Sequence, residues 1–230
     1  MASKNRIKAI VWDLDGTLIQ FKIDFIKARK AAIRTLKKYG IPKNQLSLDK
    51  TILDNINSSR ELFKDMYYTD QKIKEILKEV DEEIDKVEYE AAIQATLING
   101  IDEVLKFIKD KKLKQAIYTY NSNKNAKISL EKVNLLHFFD VIVGRNDVSN
   151  PKPHPDHMLS ICNKLGIKPS ESLVIGDTHR DIEGAFNVGA RSIAIRNKFF
   201  KEEMLQIADK VVDENEIPSK LIKAIEELLV

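Results

Sequence analysis

A single cysteine among 230 residues leaves no internal disulfide to build on. No stretch approaches ~18 uninterrupted apolar residues, so no helix is expected to cross a membrane. Met1 to Lys8 is short and polar, without the apolar centre of a secretory leader. An excess of one charge is missing as well. Lys and Arg number 38 against 35 Asp and Glu, a formal +3, and the charges are interspersed with no sustained basic block. That pattern argues against a nucleic-acid partner. Internal repeats and low-complexity segments are absent. These absences leave a soluble cytoplasmic protein as the expectation, with neither nucleic acid nor membrane as partner.

What is present is a core-forming chain. Hydrophobic residues make up 43% and charged residues 32%, enough for one large domain, or a core domain with a smaller companion. The lone Cys162 sits between Leu159 and Leu165 on one helical face and reads as core filler. Ile7, Ala9, Ile10 and Val11 predict a buried first strand. From about 20 to 98 the pattern is almost wholly helical. Phe25, Ala28, Ala32, Ile33, Leu36 and Tyr39 recur at helical spacing, ended by Gly40-Ile41-Pro42. Ser58-Ser59 is read as starting a shorter helix through Met66, and Thr69-Asp70 as capping a longer one. That longer helix carries an apolar stripe at Ile73, Ile76, Leu77, Val80, Ile84, Val87 and Ala91. The stripe suits either a pair of helices within one chain or a dimer, so monomer and homodimer both stand.

After Asn99-Gly100 the chain alternates. Strands are expected at 115–119, 139–144, 172–177, 191–195 and 210–212, and helices at 101–108, 128–136, 156–165, 181–188 and 221–229. Such alternation implies an α/β fold with a mostly parallel sheet between helices. The expected division is a core of 1–19 and 99–230, with 20–98 inserted as a helical cap in a crossover far longer than a βα unit needs.

Polar groups gather where the strands end. The first strand stops at Asp13-Leu14-Asp15-Gly16-Thr17, and the next at Thr119-Tyr120-Asn121-Ser122. Lys152 stands between Pro151 and Pro153, and Gly176-Asp177-Thr178-His179-Arg180-Asp181 brings two further acids. In an open α/β sheet, ligands bind at that edge. Four acids there would repel one another strongly. A hard divalent cation relieves this, and Mg²⁺ with mixed carboxylate, carbonyl, water and phosphate ligands suits the inventory. Lys152 would offset remaining negative charge. His137, His154, His157 and His179 lack zinc-ligand spacing and read as surface or interface groups, with His179 the one near the site. Trp12 and Tyr118 are expected to pack against the sheet.

In that order and spacing these segments resemble the haloacid dehalogenase superfamily along the whole chain. Asp13–Thr17 looks like its first motif, Thr119 its second, Lys152 its third and Gly176–Asp181 its fourth, and a helical insert after the first motif is similar to a C1-type cap. The resemblance implies a Rossmann-like core and a set of roles. Asp13 would be the nucleophile, forming an aspartyl-phosphate, and Asp15 the general acid and then base. Asp13, Asp177 and the backbone carbonyl of Asp15 would hold Mg²⁺. Thr119 and the N–H groups near Tyr120 and Asn121 would bind phosphate oxygens. Lys152 would bridge Asp13 and the phosphate, and Asp181 would orient Lys152 or a metal-bound water.

An acid at position 15 favours phosphate esters over halide displacement, because halide leaves without a proton. The resemblance implies a phosphatase for a small phosphorylated metabolite, phosphoglycolate phosphatase-like, with a cap that closes over the site. A phosphomutase of the β-phosphoglucomutase type shares every motif, and a non-catalytic phosphometabolite-binding regulator is the alternative from another class. Phe21, Lys22, Arg60 and Tyr67 are among the candidates to face the site from the cap side, and the sequence alone does not select between them.

Overall fold

The first strand, β1 (Ala9–Trp12), is buried along its whole length. The computed structural model describes residues 6–20, 22–198, 202 and 206–229. Among the described residues five more strands follow β1: β2 (Lys114–Tyr118), β3 (Val141–Val143), β4 (Ser172–Gly176), β5 (Arg191–Arg196) and β6 (Lys210–Asp213). They form one six-stranded sheet in the order β3-β2-β1-β4-β5-β6, and every pairing is parallel. Parallel strands need long crossovers, and the covering helices explain why these strands are nearly continuous apolar runs.

Alternate side chains of the central strands feed two separate cores. Ile10, Trp12, Ile117, Leu173, Ile175 and Ile193 face one way, against helices α4 (Ile101–Asp110), α5 (Asn123–Lys132) and α8 (Ser219–Leu229). Ala9, Val11, Ala116, Tyr118, Val143 and Val174 face the other, against α6 (Pro155–Leu165) and Ala185 of α7 (His179–Phe186). Cys162 lies in this second core. Among the described residues no helix is long and apolar enough to cross a membrane.

The chain divides into two units, Met1–Lys22 with Gln94–Val230, and Ile23–Ile93. The second holds α1 (Phe25–Lys38), α2 (Ile52–Asp65) and α3 (Asp70–Ala92). Ala32, Leu36, Phe63, Ile73, Ile76, Val80 and Ile84 are its core. Along the α1–α3 seam, Lys27 pairs with Glu90, Arg34 with Glu83 (3.1 Å) and Lys38 with Glu79 (2.7 Å). Exposed pairs of this kind set register more than they stabilise.

Several sequence expectations shift. The unit boundaries fall at 22/23 and 93/94 rather than 19/20 and 98/99. The two connecting segments are tied to each other: Gln20 N–H donates to Thr96 O (2.8 Å), Ile98 N–H to Leu18 O (3.0 Å) and Lys22 Nζ to Gln94 O (2.7 Å). Helix α2 begins at Ile52, not near Ser58, because Thr51 and Asp54 form a reciprocal capping box. Ser59 lies buried within it, donating to Asn55 O at 2.7 Å. Helix α5 starts at Asn123 rather than near Ile128, capped by Ser122. In each case a short polar bonding pattern outweighed the apolar spacing.

Candidate active site

The sheet order carries the chain outward from β1 through β2 to β3, then back across to β4 on the other side. The crevice at the carboxyl ends of β1 and β4 is therefore the topological switch point where open α/β sheets bind ligands. Asp13 follows β1 directly, and its N–H still bonds to Ile175 O (2.9 Å), so its position is set by the sheet. Gly16 then turns the chain at φ +87°. A side chain there would collide with the Asp177 carboxylate, so glycine serves both the turn and the close approach.

Lys152 is the hub of the site. Its ammonium donates to Asp13 Oδ1 (2.5 Å), Asp181 Oδ1 (2.5 Å) and Tyr118 O (2.8 Å), which occupies all three of its hydrogens. Only 3% of the Lys152 side chain is exposed. Asp181 is equally engaged, its Oδ2 accepting from Thr178 N–H (2.9 Å) and Thr178 Oγ1 (2.6 Å). Asp177 accepts from Asn197 at Oδ2 (2.7 Å), while its buried Oδ1 has no hydrogen-bond partner among the described residues. Oxygen atoms of Asp13, Asp177 and Asp181 lie within 4.8 Å of one another.

The remaining sequence candidates form a second group. Asp15 Oδ2 accepts from Asn121 Nδ2 (2.6 Å), joining the loops after β1 and β2. Thr119 is buried, and its Oγ1 accepts Asn121 N–H (3.0 Å). Tyr120 is partly buried, with its carbonyl on Arg145 (2.9 Å) and its ring under the Arg180 guanidinium at 5.0 Å. The carboxylate of Asp15 stands outside the three-acid cluster, where Asp181 takes a place beside Asp13 and Asp177.

In the helical unit, Arg60 and Tyr67 are exposed, while Lys22, in the other unit, bonds Gln94. Phe21 lies outside the described residues.

Sequence reasoning missed two participants. Asn197, which also donates to Gly16 O (3.3 Å), directly follows β5, so a polar residue ending the neighbouring strand was the available signal. His157 was expected at a surface or interface. It is fully buried, with Nδ1 accepting Lys152 N–H at 3.2 Å. Its place on the inner face of α6, among Met158, Ile161 and Cys162, was legible only as helical spacing.

The electrostatics follow from burial. Desolvation pushes the Asp13 carboxyl up to about 6; Lys152 opposes the shift and Asp181 adds to it. Burial pushes Asp177 up to about 8, with the charges of Asp13 and Asp181 adding to it. Burial alone would lower the Lys152 ammonium, but Asp13 and Asp181 more than offset this and hold it above the ordinary lysine range. Three carboxyl groups share one ammonium in a buried place, and their mutual repulsion adds to the upward shift of Asp13 and Asp177. A divalent cation fits there: the donors are hard oxygens, and the partnerless Asp177 Oδ1 supplies an open ligand atom.

A six-stranded parallel sheet with an acid–lysine cluster at its switch point is the class of architecture this chain presents. Residues 10–195 match the haloacid dehalogenase-like hydrolase family, and the chain belongs to it as an enzyme. Over 228 residues it is 28% identical to N-acetylmuramic acid 6-phosphate phosphatase of Pseudomonas aeruginosa, covering 97% of each chain. Over 198 residues it is 29% identical to pyrophosphatase PpaX of Bacillus cereus, covering 83% of each. Among solved structures, β-phosphoglucomutase of Clostridium difficile has a TM-score of 0.67 at 22% identity over 97% of both chains, a likeness of fold. A hydrolase of Pseudomonas syringae has a TM-score of 0.63 at 25% identity, covering 95% of this chain and 98% of that one.

Proposed function

We propose that the protein is a Mg²⁺-dependent phosphatase that hydrolyses a small phosphorylated metabolite in the cytoplasm through an aspartyl-phosphate on Asp13. The observation that carries the reading is the Lys152 ammonium clamped between Asp13 and Asp181 beside the open Asp177 oxygen. A carboxylate approaches a phosphate dianion only where preorganised positive charge screens the repulsion.

Asp13 attacks phosphorus through a carboxylate oxygen, and the bond to the leaving alkoxide breaks. Asp15, in its protonated form, gives the alkoxide its proton and so frees the alcohol. The Asp15 carboxylate then takes a proton from water, whose oxygen attacks the phosphorus of the aspartyl-phosphate. Inorganic phosphate departs and Asp13 is restored. Asn121 holds Asp15 in place for both transfers through its 2.6 Å bond. Lys152 balances charge on the phosphoryl oxygens, and Thr119 with the N–H groups at Tyr120 and Asn121 binds them. Asp13, Asp177 and the carbonyl of Asp15 would hold Mg²⁺, which when bound supplies further positive charge against the phosphate. The helical unit is read as a C1-type cap that sets substrate choice.

The test is phosphate release from a panel including N-acetylmuramic acid 6-phosphate, pyrophosphate, phosphoglycolate and hexose phosphates. Turnover should vanish with chelator, return with Mg²⁺ and fall at least ~10³-fold in Asp13→Asn, the scale on which a nucleophile acts. Phosphate release at wild-type rate in that variant would remove Asp13 from the mechanism. Turnover that needs a catalytic sugar bisphosphate, without net phosphate release, would instead identify a phosphomutase.

A further inference from the structure

Lys152 carries its charge on a flexible four-carbon stem, so something must fix where the ammonium sits. The carboxylates of Asp13 and Asp181 hold it from the front. Behind it lies a buried group that the reaction does not consume. His157 accepts the backbone N–H of Lys152 at Nδ1 (3.2 Å), and its Nε2 lies 3.0 Å from Val143 O. The first partner can only donate and the second only accept, so the ring is neutral with its proton on Nε2.

This imidazole and the Tyr118 ring pack edge to face, with centroids 4.5 Å apart at 65°. Lys152 Nζ in turn stands 4.9 Å from the centre of that ring, while the Tyr118 carbonyl accepts one of its protons. The Tyr118 hydroxyl is buried without a hydrogen-bond partner among the described residues. It points at Gly184 of α7, where any Cβ would overlap it. A glycine in a helix interior costs about 1 kcal/mol against alanine, and here it makes room for the tyrosine tip.

We infer that His157 and Gly184 are positioning residues for the lysine. His157 pins the Lys152 backbone and braces the Tyr118 ring, and Gly184 lets that ring lie flat enough to support the ammonium. This inference rests on the role of Lys152 proposed above. Its force comes from the tolerance of such chemistry, since a shift of about 1 Å in a charged group can cost 10²-fold in rate.

The experiment measures kcat and KM for p-nitrophenyl phosphate with Mg²⁺, with folding checked by circular dichroism. His157→Leu removes both ring bonds and should lower kcat about tenfold or more, with KM changed less than about twofold. His157→Asn places Oδ1 near the old Nδ1, keeps the acceptor for Lys152 N–H, and should recover most of that loss. Gly184→Ala should lower kcat similarly, and adding Tyr118→Phe should restore it by removing the colliding oxygen.

A folded His157→Leu with wild-type kcat overturns the inference. So do equal losses in the Leu and Asn variants, or a failure of Tyr118→Phe to rescue Gly184→Ala. If His157→Leu does not fold, the Gly184 and Tyr118 pair decides. Lys152→Met is measured alongside. Should it keep wild-type kcat, the role of Lys152 falls and this inference with it. Should it be inactive while His157→Leu is unimpaired, only the inference falls.

Discussion

Lys152 and His157 show how much a single side chain owes to its surroundings. Burial holds His157 down to about 4, with Lys152 lowering it further and Val143 O, Asp147 and Asp181 opposing. The unfolded chain binds a proton on this residue near its ordinary 6.5, whereas the folded chain does not until about 4. The folded state is therefore favoured above about pH 6.5, and this contribution drains away as pH falls towards 4. The shift corresponds to about 3 kcal/mol at full expression. Urea denaturation at pH 7 and pH 5 should show the loss, and His157→Asn should flatten that part of the profile. An unchanged slope in the variant would place the acid sensitivity elsewhere. The aspartates could be singled out in the sequence because Asp13 and Asp15 are followed in order by Thr119, Lys152 and a second acid pair; alone, two acids at a strand end could equally close a polar turn. His157 was not, because a histidine on an apolar helix face looks the same in sequence whether or not it meets the site.

Elements were legible where one signal dominated. The apolar stripe from Ile73 to Val87 and the cap at Thr69 marked α3, and Thr69 Oγ1 does accept Lys72 N–H (3.2 Å). The start of helix α2 is not legible from apolar spacing, which is thin there, because the capping box at Thr51 and Asp54 carries it. The box is exposed and local, so its value can be measured cleanly. Thr51→Ala should destabilise the helical unit by about 1 kcal/mol, as cap removals typically do. A change in thermal or urea stability below ~0.3 kcal/mol would mean the helix start is set by packing instead. The pairing of Gln20 with Thr96 and of Leu18 with Ile98 was illegible for another reason. Two short segments 76 residues apart carry no pattern that announces their partnership.

For the whole molecule, the decisive balance is charge in the core unit. Asp13, Asp177 and Asp181 face one another while Lys152 pairs with only Asp13 and Asp181, so a bound divalent ion should stabilise the native state over the unfolded chain. Mg²⁺ at ~100 times its dissociation constant should add about 2.7 kcal/mol and raise the melting temperature. The rise should disappear in Asp177→Asn, and a rise that persisted there would put the ion at another site.

The sequence by itself determined the α/β alternation, the helical insertion and the acid and lysine segments, since each of these is a matter of local spacing and residue type. Only the tertiary structure decided which atoms meet. The parallel strand order puts β1 between β2 and β4 and so brings Asp13, Lys152 and Asp181 together across 139 and 29 residues of chain. It also set His157 and Tyr118 behind the lysine and left one oxygen of Asp177 open, because distance in space follows from packing, which no local pattern contains.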